Sequence, residues 1–122
     1  MTDSQRIETS LRRLAEVEAA REAVHRQLAA ANMDLCAARQ ALQRSFSDVS
    51  VEYIPDEVEA SLVVDGDFKM VLRDSACNPL HWFCRSPQYD LTKAQQGFRA
   101  TVAACMELAR LQTALLTALR DT

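Results

Sequence analysis

Along residues 7–46, apolar side chains return at every seventh position. With Ile7 placed at heptad position a, the a column reads Ile7, Leu14, Arg21, Leu28, Leu35 and Leu42. The d column reads Ser10, Val17, Val24, Ala31, Ala38 and Ser45. A seam that narrow is the pattern of a coiled coil, whereas a helix lying on a globular core carries a broader apolar face. Between the columns stand Glu8, Arg12, Glu16, Glu22, Arg26, Gln40 and Arg44, with no Gly or Pro, a composition that favours helix and suits solvent. The pattern predicts one long helix whose seam has to be hidden by a partner.

Charges beside the seam bear on the partner. In a parallel pair each g residue meets the e residue five positions later on the other chain. Here that sets Arg13 against Glu18 and Asp34 against Arg39, opposite in sign, while Ala20 with His25 and Gln27 with Asn32 are neutral. Parallel, in-register pairing is therefore permitted. Arg21 stands at an a position, where two copies facing each other would repel and an acidic residue on a different chain would satisfy it. It reads as a selector of register or partner, with a related chain somewhat favoured over self. Its bland counterpart is an arginine whose stem lies along the seam while its head reaches solvent. Ala31 and Ala38 thin the d column and would also suit a close antiparallel or intramolecular helix contact.

After Ser45 the period changes to two. Val49, Val51 and Tyr53 alternate with Ser50 and Glu52; Val58, Ala60, Leu62 and Val64 alternate with Glu59 and Ser61; Phe68, Met70 and Leu72 alternate with Lys69 and Arg73. Pro55-Asp56 and Asp65-Gly66-Asp67 mark turns between them, so the pattern predicts an antiparallel meander. Only certain loop lengths bring the apolar sets onto one face. A two-residue Pro55-Asp56 loop places Tyr53 opposite Val58, and a three-residue Asp65–Asp67 loop places Val64 opposite Phe68 and Leu62 opposite Met70. Leu80-His81-Trp82-Phe83-Cys84, between the turn signals Asn78-Pro79 and Ser86-Pro87, reads as a fourth strand or a packed loop.

A second long helix is expected from Asp90 or Thr92 to about Arg120, with Thr92 and Gln95 at capping-box spacing. Phe98, Val102, Cys105, Leu108, Leu111, Leu115, Leu116 and Leu119 spread around much of its circumference, so it has to be covered on two sides. One side takes the sheet; the other takes the first helix or a second chain. Gly97 costs about 1 kcal/mol of helix propensity relative to Ala and leaves room for close backbone packing. The expected fold is thus α+β, with a coiled-coil dimerisation helix over 1–46 and a small head over 47–122. In that head a three- to four-stranded antiparallel meander is packed by the long C-terminal helix.

Composition narrows the function. The chain has 122 residues, 48% hydrophobic and 25% charged, with a net charge of −3. An acidic balance without a basic cluster argues against direct nucleic-acid binding. Uninterrupted apolar runs are short, which gives no expectation of a membrane partner, and a basic-then-apolar leader is lacking. The expected location is intracellular, nucleus or cytoplasm, with Cys36, Cys77, Cys84 and Cys105 kept as thiols.

Candidate chemistry is sparse. Cys77, His81 and Cys84 share one segment, and a further thiol or His25 would complete a zinc tetrahedron, but C-x3-H-x2-C is not a recognised knuckle and buried cysteine is commonly a small hydrophobe. Cys84 and His81, three apart on a strand, point to opposite faces and make no nucleophile–base pair. Asp56, Glu57, Glu59, Asp65 and Asp67 fall in turns without a phosphate or calcium loop. No catalytic, cofactor or metal constellation emerges, and the expectation is a protein that is not an enzyme and needs no cofactor.

A heptad column ending at Leu42, the alternating stretches Val49–Tyr53, Val58–Val64, Phe68–Arg73 and Leu80–Cys84, and the helix from Leu91 together resemble the RWD-type heads of kinetochore coiled-coil proteins. The likeness is to the small subunits of the outer-kinetochore Ndc complex and to the monopolin subunit, over the whole chain but as architecture only. The tyrosine-proline signature of RWD domains is absent. What the resemblance implies is a dimerising scaffold, a complex subunit that docks a further protein through its head. The rival expectation is a prefoldin-like chaperone subunit, which requires the two long helices to pair with each other as arms. A zinc- or thiol-dependent regulator is third. Under the first expectation the interface residues are Ile7, Leu14, Val17, Arg21, Val24, Leu28, Ala31, Leu35, Ala38 and Leu42.

Overall fold

A computed structural model describes residues 2–44, 51–58, 60–73, 78–83 and 89–121. Two long helices dominate it, α1 (Asp3–Arg44) and α2 (Tyr89–Arg120). Between them in the chain stand a 3-10 turn at Val51–Tyr53, strands β1 (Leu62–Val64) and β2 (Met70–Leu72), and a 3-10 turn at Pro79–Trp82.

The first turn of α1 is closed by a reciprocal cap. The Thr2 amide donates to Gln5 Oε1 at 3.0 Å, and the Gln5 amide donates to Thr2 Oγ1 at 3.2 Å. Each bond satisfies an amide that a helix start leaves without a partner. From there the chain meets no Gly or Pro through Arg44, and the helix continues.

The helices pack on each other as an antiparallel hairpin. Ala31 lies against Gly97, Asp34 Oδ1 stands 3.4 Å from Lys93 Nζ, and Ile7 and Leu11 share a groove with Leu119, so α1 numbers fall as α2 numbers rise. Small side chains make this approach close. Ala31, Ala38, Ala94 and Thr101 are buried along the contact, and the Thr101 hydroxyl donates to the Gly97 carbonyl at 2.9 Å, so its burial leaves no orphan donor. Towards the closed end Ala38, Leu42, Leu80 and Leu91 form one buried cluster.

Leu80 reaches that cluster because Asn78 shapes the turn before it. Asn78 Oδ1 accepts from the Leu80 amide at 3.1 Å and from Gln95 Nε2 at 2.9 Å, which ties the turn to α2. Pro79 at the first helical position has no amide to leave unsatisfied. Trp82 and Phe83 stack edge to face, with ring centroids 6.2 Å apart.

The α+β head with a three- to four-stranded meander is not what forms. Among the described residues only β1 and β2 pair, antiparallel, with Leu62 opposite Leu72, Val63 opposite Val71 and Val64 opposite Met70. Val51–Tyr53 is a 3-10 turn rather than part of a first strand, and Val58 is exposed; Val49 lies outside the described residues. Pro79–Trp82 is likewise a 3-10 turn rather than a fourth strand. Alternation makes a strand only where a layer covers its apolar face. Here α2 packs chiefly along α1 and touches the ribbon mainly through β2. The helix expected to cover the sheet covers the other helix instead.

The ribbon's register also differs, by two residues, which keeps every side chain on its expected face. Asp65 sets it. Its Oδ1 accepts from the Asp67 and Lys69 amides, both at 2.9 Å, and its own amide donates to the Lys69 carbonyl at 2.9 Å. The loop is therefore Gly66–Phe68, one residue later than expected, and Phe68 takes the left-handed seat with φ 60°. That seat ordinarily holds Gly. Helix α2 begins at Tyr89, and Gln95 bonds Asn78 rather than making a capping box with Thr92.

Candidate interaction surface

The heptad columns of α1 separate in space. From the d column, Val17, Ala31 and Ala38 are buried and Val24 is half-buried, all along the contact with α2. The a column turns outward over most of its length: Ile7 is 60% exposed, Leu14 43% and Leu28 40%, and Arg21 is exposed as well. Leu35 is half-buried, and only Leu42 at the closed end is buried. Adjacent heptad columns lie about 50° apart around a helix. One flanking helix covers one column and leaves the other.

The stripe left open runs from Ile7 to Leu35, about 42 Å at 1.5 Å per residue. Leu11, at an e position one turn from Ile7, is 60% exposed and widens it. Leu116 and Leu119 of α2 are also exposed near the same end, and an open groove there is lined by Asp3, Arg6, Ile7, Ser10, Leu11 and Leu119. Sequence reasoning missed Leu11, although its i, i+4 spacing from Ile7 was visible, because a strict a/d register discards e positions. Further along, Glu18, Arg21, Glu22 and His25 line a second shallow groove with Ala15 and Ala19. The outer face is apolar at its ends and charged in its middle.

Two pairs elsewhere join charges within the chain. Asp34, expected to reach Arg39 of another chain, pairs instead with Lys93 of α2. Arg110 grips Glu107 through both guanidinium branches, with Nε donating to Glu107 Oε2 at 3.0 Å. Those hydrogen bonds, and then the charge behind them, hold the Glu107 carboxyl below the usual carboxylate range; the same hydrogen bond and charge, with a lesser contribution from Glu16, raise the Arg110 guanidinium. The pair is solvated and stiffens one turn of α2.

Cys77 and Cys84 lie outside the described residues, and His81 is exposed on the 3-10 turn. Cys36 is an exposed free thiol and Cys105 a half-buried one. Among the described residues no group of three or more His, Cys, Asp and Glu side chains could hold a metal ion. By length and composition α2 is apolar enough to cross a membrane, although no single run in it is long. Its neighbour α1 has Arg12, Arg13, Glu16, Glu18, Arg21 and Glu22 within three turns.

No family model, curated protein or solved structure matches the chain.

Proposed function

We propose that this chain is a non-enzymatic assembly subunit, a helical hairpin that associates through the outer stripe of α1 with a second helical chain, itself or a related one. One observation carries the proposal: Ile7, Leu11, Leu14 and Leu28 stay exposed at regular helical spacing after the chain has folded. Fully burying a Leu from solvent contributes about 1.5–3 kcal/mol, so a partner helix laid along the stripe gains a fraction of that at each of these positions. With two strands in place of a meander, the likeness to RWD-type heads supplies no part of this role.

The test is the mass of the native complex. Leu14→Asp with Leu28→Asp should reduce the chain, isolated from its native extract, to its monomer mass while helix content by circular dichroism is kept, since neither side chain is buried in the hairpin. An unchanged complex mass would remove α1 as the docking element.

A prefoldin-like chaperone subunit is the second reading, and the pairing of α1 with α2 as antiparallel arms favours it. In that case assembly would run through the exposed strand residues Val63 and Val71. Val63→Lys with Val71→Lys would then break the complex, and the α1 aspartates would leave it whole.

A further inference from the structure

The ribbon presents a row of backbone groups along each of its two edges. The Arg73 amide donates to the Ser61 carbonyl and the Asp65 amide to the Lys69 carbonyl, both at 2.9 Å, so the hydrogen-bonded pairs of the ladder are Ser61 with Arg73, Val63 with Val71 and Asp65 with Lys69. The amides and carbonyls of Leu62 and Val64 therefore point away from β2, and those of Met70 and Leu72 point away from β1. Among the described residues no further strand takes them. Val63 and Val71 are exposed on one face of the ribbon, Val64 and Leu72 on the other. Two short strands with uncovered faces are marginal by themselves, and an open edge is where another strand adds.

We infer, as a contact separate from the docking role of α1, that the edge of β1 takes β1 of a second copy, antiparallel about a twofold axis at Val63. Charge selects the edge and the occupant. Turned about that axis, Leu62 of each chain faces Val64 of the other, and each such pair exchanges both of its outward backbone bonds. Val63 meets its own copy, with Val71 of each chain on its outer side, and Ser61 comes opposite Asp65 of the second copy. On the other face Leu72, Leu62, Val64 and Met70 line up in apolar rows across the two chains. No like charges meet. The same operation on β2 sets Lys69 directly opposite Arg73 of the second copy on both sides of the axis, and like charges so placed are destabilising. Strand β2 is also the one nearer α2. Joining β1 of one copy to β2 of the next leaves an open edge at each end and never closes. The β1 pair does close: its sheet runs β2-β1-β1-β2, and both outer edges carry Lys69 and Arg73, which repel a further copy.

A strand of three residues from each copy makes a small contact, of the class of weak encounters. It forms at about 1 mM chain, or in an assembly that already holds copies side by side at effective concentrations of that order, and it dissolves at the dilution of an extract.

Amide hydrogen exchange tests the pairing, on the full chain carrying Leu14→Asp and Leu28→Asp so that the α1 stripe takes no part. Between about 10 µM and about 1 mM the Leu62 and Val64 amides should gain protection several-fold, while those of Met70 and Leu72 stay as they were. Val63→Lys alone and Val63→Glu alone each put like charges at the axis and should abolish the gain; an equimolar mixture of the two should restore it. Protection of the Asp65 amide, which donates within the ribbon, checks that the ribbon persists in each variant, and if either loses it the concentration series decides by itself. No gain at Leu62 and Val64, an equal gain at Met70 and Leu72, or single variants that keep the gain would each overturn the β1 pair. A mixture that fails to restore it would overturn the second copy as occupant. The docking role of α1 stands or falls on the mass of the native complex and not on these outcomes.

Discussion

Gly97 of α2 and Ala31 of α1 stand in close contact: a methyl group on Gly97 would lie 3.2 Å from Ala31 Cβ and 3.3 Å from Ala31 Cα. Ala31 itself is fully buried. Such a contact leaves room for hydrogen atoms but not for larger side chains, and it fixes the spacing of the hairpin. Gly97→Leu should therefore destabilise the fold by about 1–3 kcal/mol through overpacking, and Ala31→Leu by a similar amount. Gly97→Ala gains about 1 kcal/mol of helix propensity against a contact that requires only a small shift, and should lie near neutral. Thermal melts of the three variants would check the order; a leucine tolerated at either position would contradict the close approach.

The buried cluster at the closed end makes a stronger demand. Leu42 is 2% exposed and Leu80 6%, and truncating a buried Leu to Ala costs about 2–5 kcal/mol. Leu42→Ala and Leu80→Ala should each lower the urea midpoint by a corresponding amount, whereas Leu14→Ala should shift it little in the isolated monomer.

In the ribbon, Phe68 holds a conformation that costs a side-chain-bearing residue about 1–2 kcal/mol. Phe68→Gly should raise the hydrogen-exchange protection of the Asp65 and Lys69 amides several-fold. Asp65→Ala, which deletes the acceptor of two loop amides, should lower that of Lys69. Reduced protection in Phe68→Gly would mean that the half-buried ring contributes more than the backbone relief.

The Glu107–Arg110 pair predicts a pH effect of known sign. The folded carboxyl titrates below its unfolded value, so whatever it contributes is present above the unfolded carboxylate pKa and is lost as pH falls through the lower, folded one. An NMR titration should place the Glu107 midpoint below that of an ordinary Glu, and Arg110→Gln should bring it back. An unmoved midpoint in Arg110→Gln would contradict the guanidinium as its cause.

Asp34 with Lys93 is a partly exposed pair, and pairs of that kind contribute about 0–1 kcal/mol. Lys93→Met should change the melting temperature by only a degree or two. A large loss would mean that the pair holds α1 and α2 together beyond what the contact of Gly97 with Ala31 supplies.

What the sequence determined by itself was local. Forty-odd residues without Gly or Pro and a heptad column fixed α1, and the apolar spread from Phe98 to Leu119 fixed α2, whose Leu116 and Leu119 nevertheless stay exposed. The thin d column at Ala31 and Ala38, together with Gly97, already carried the mark of a close helix contact. What the tertiary structure decided was which partner each surface took. Periodicity says that a face must be covered, and it is silent about whether the covering element lies in the same chain. Two helices sharing small residues approach more closely than a helix and a strand can, so α2 settled on α1, the meander lost its covering layer, and Tyr53 and Val58 of the alternating stretch stand exposed. The seam of α1 was divided by the same choice, with its d side closed by α2 and most of its a side left exposed.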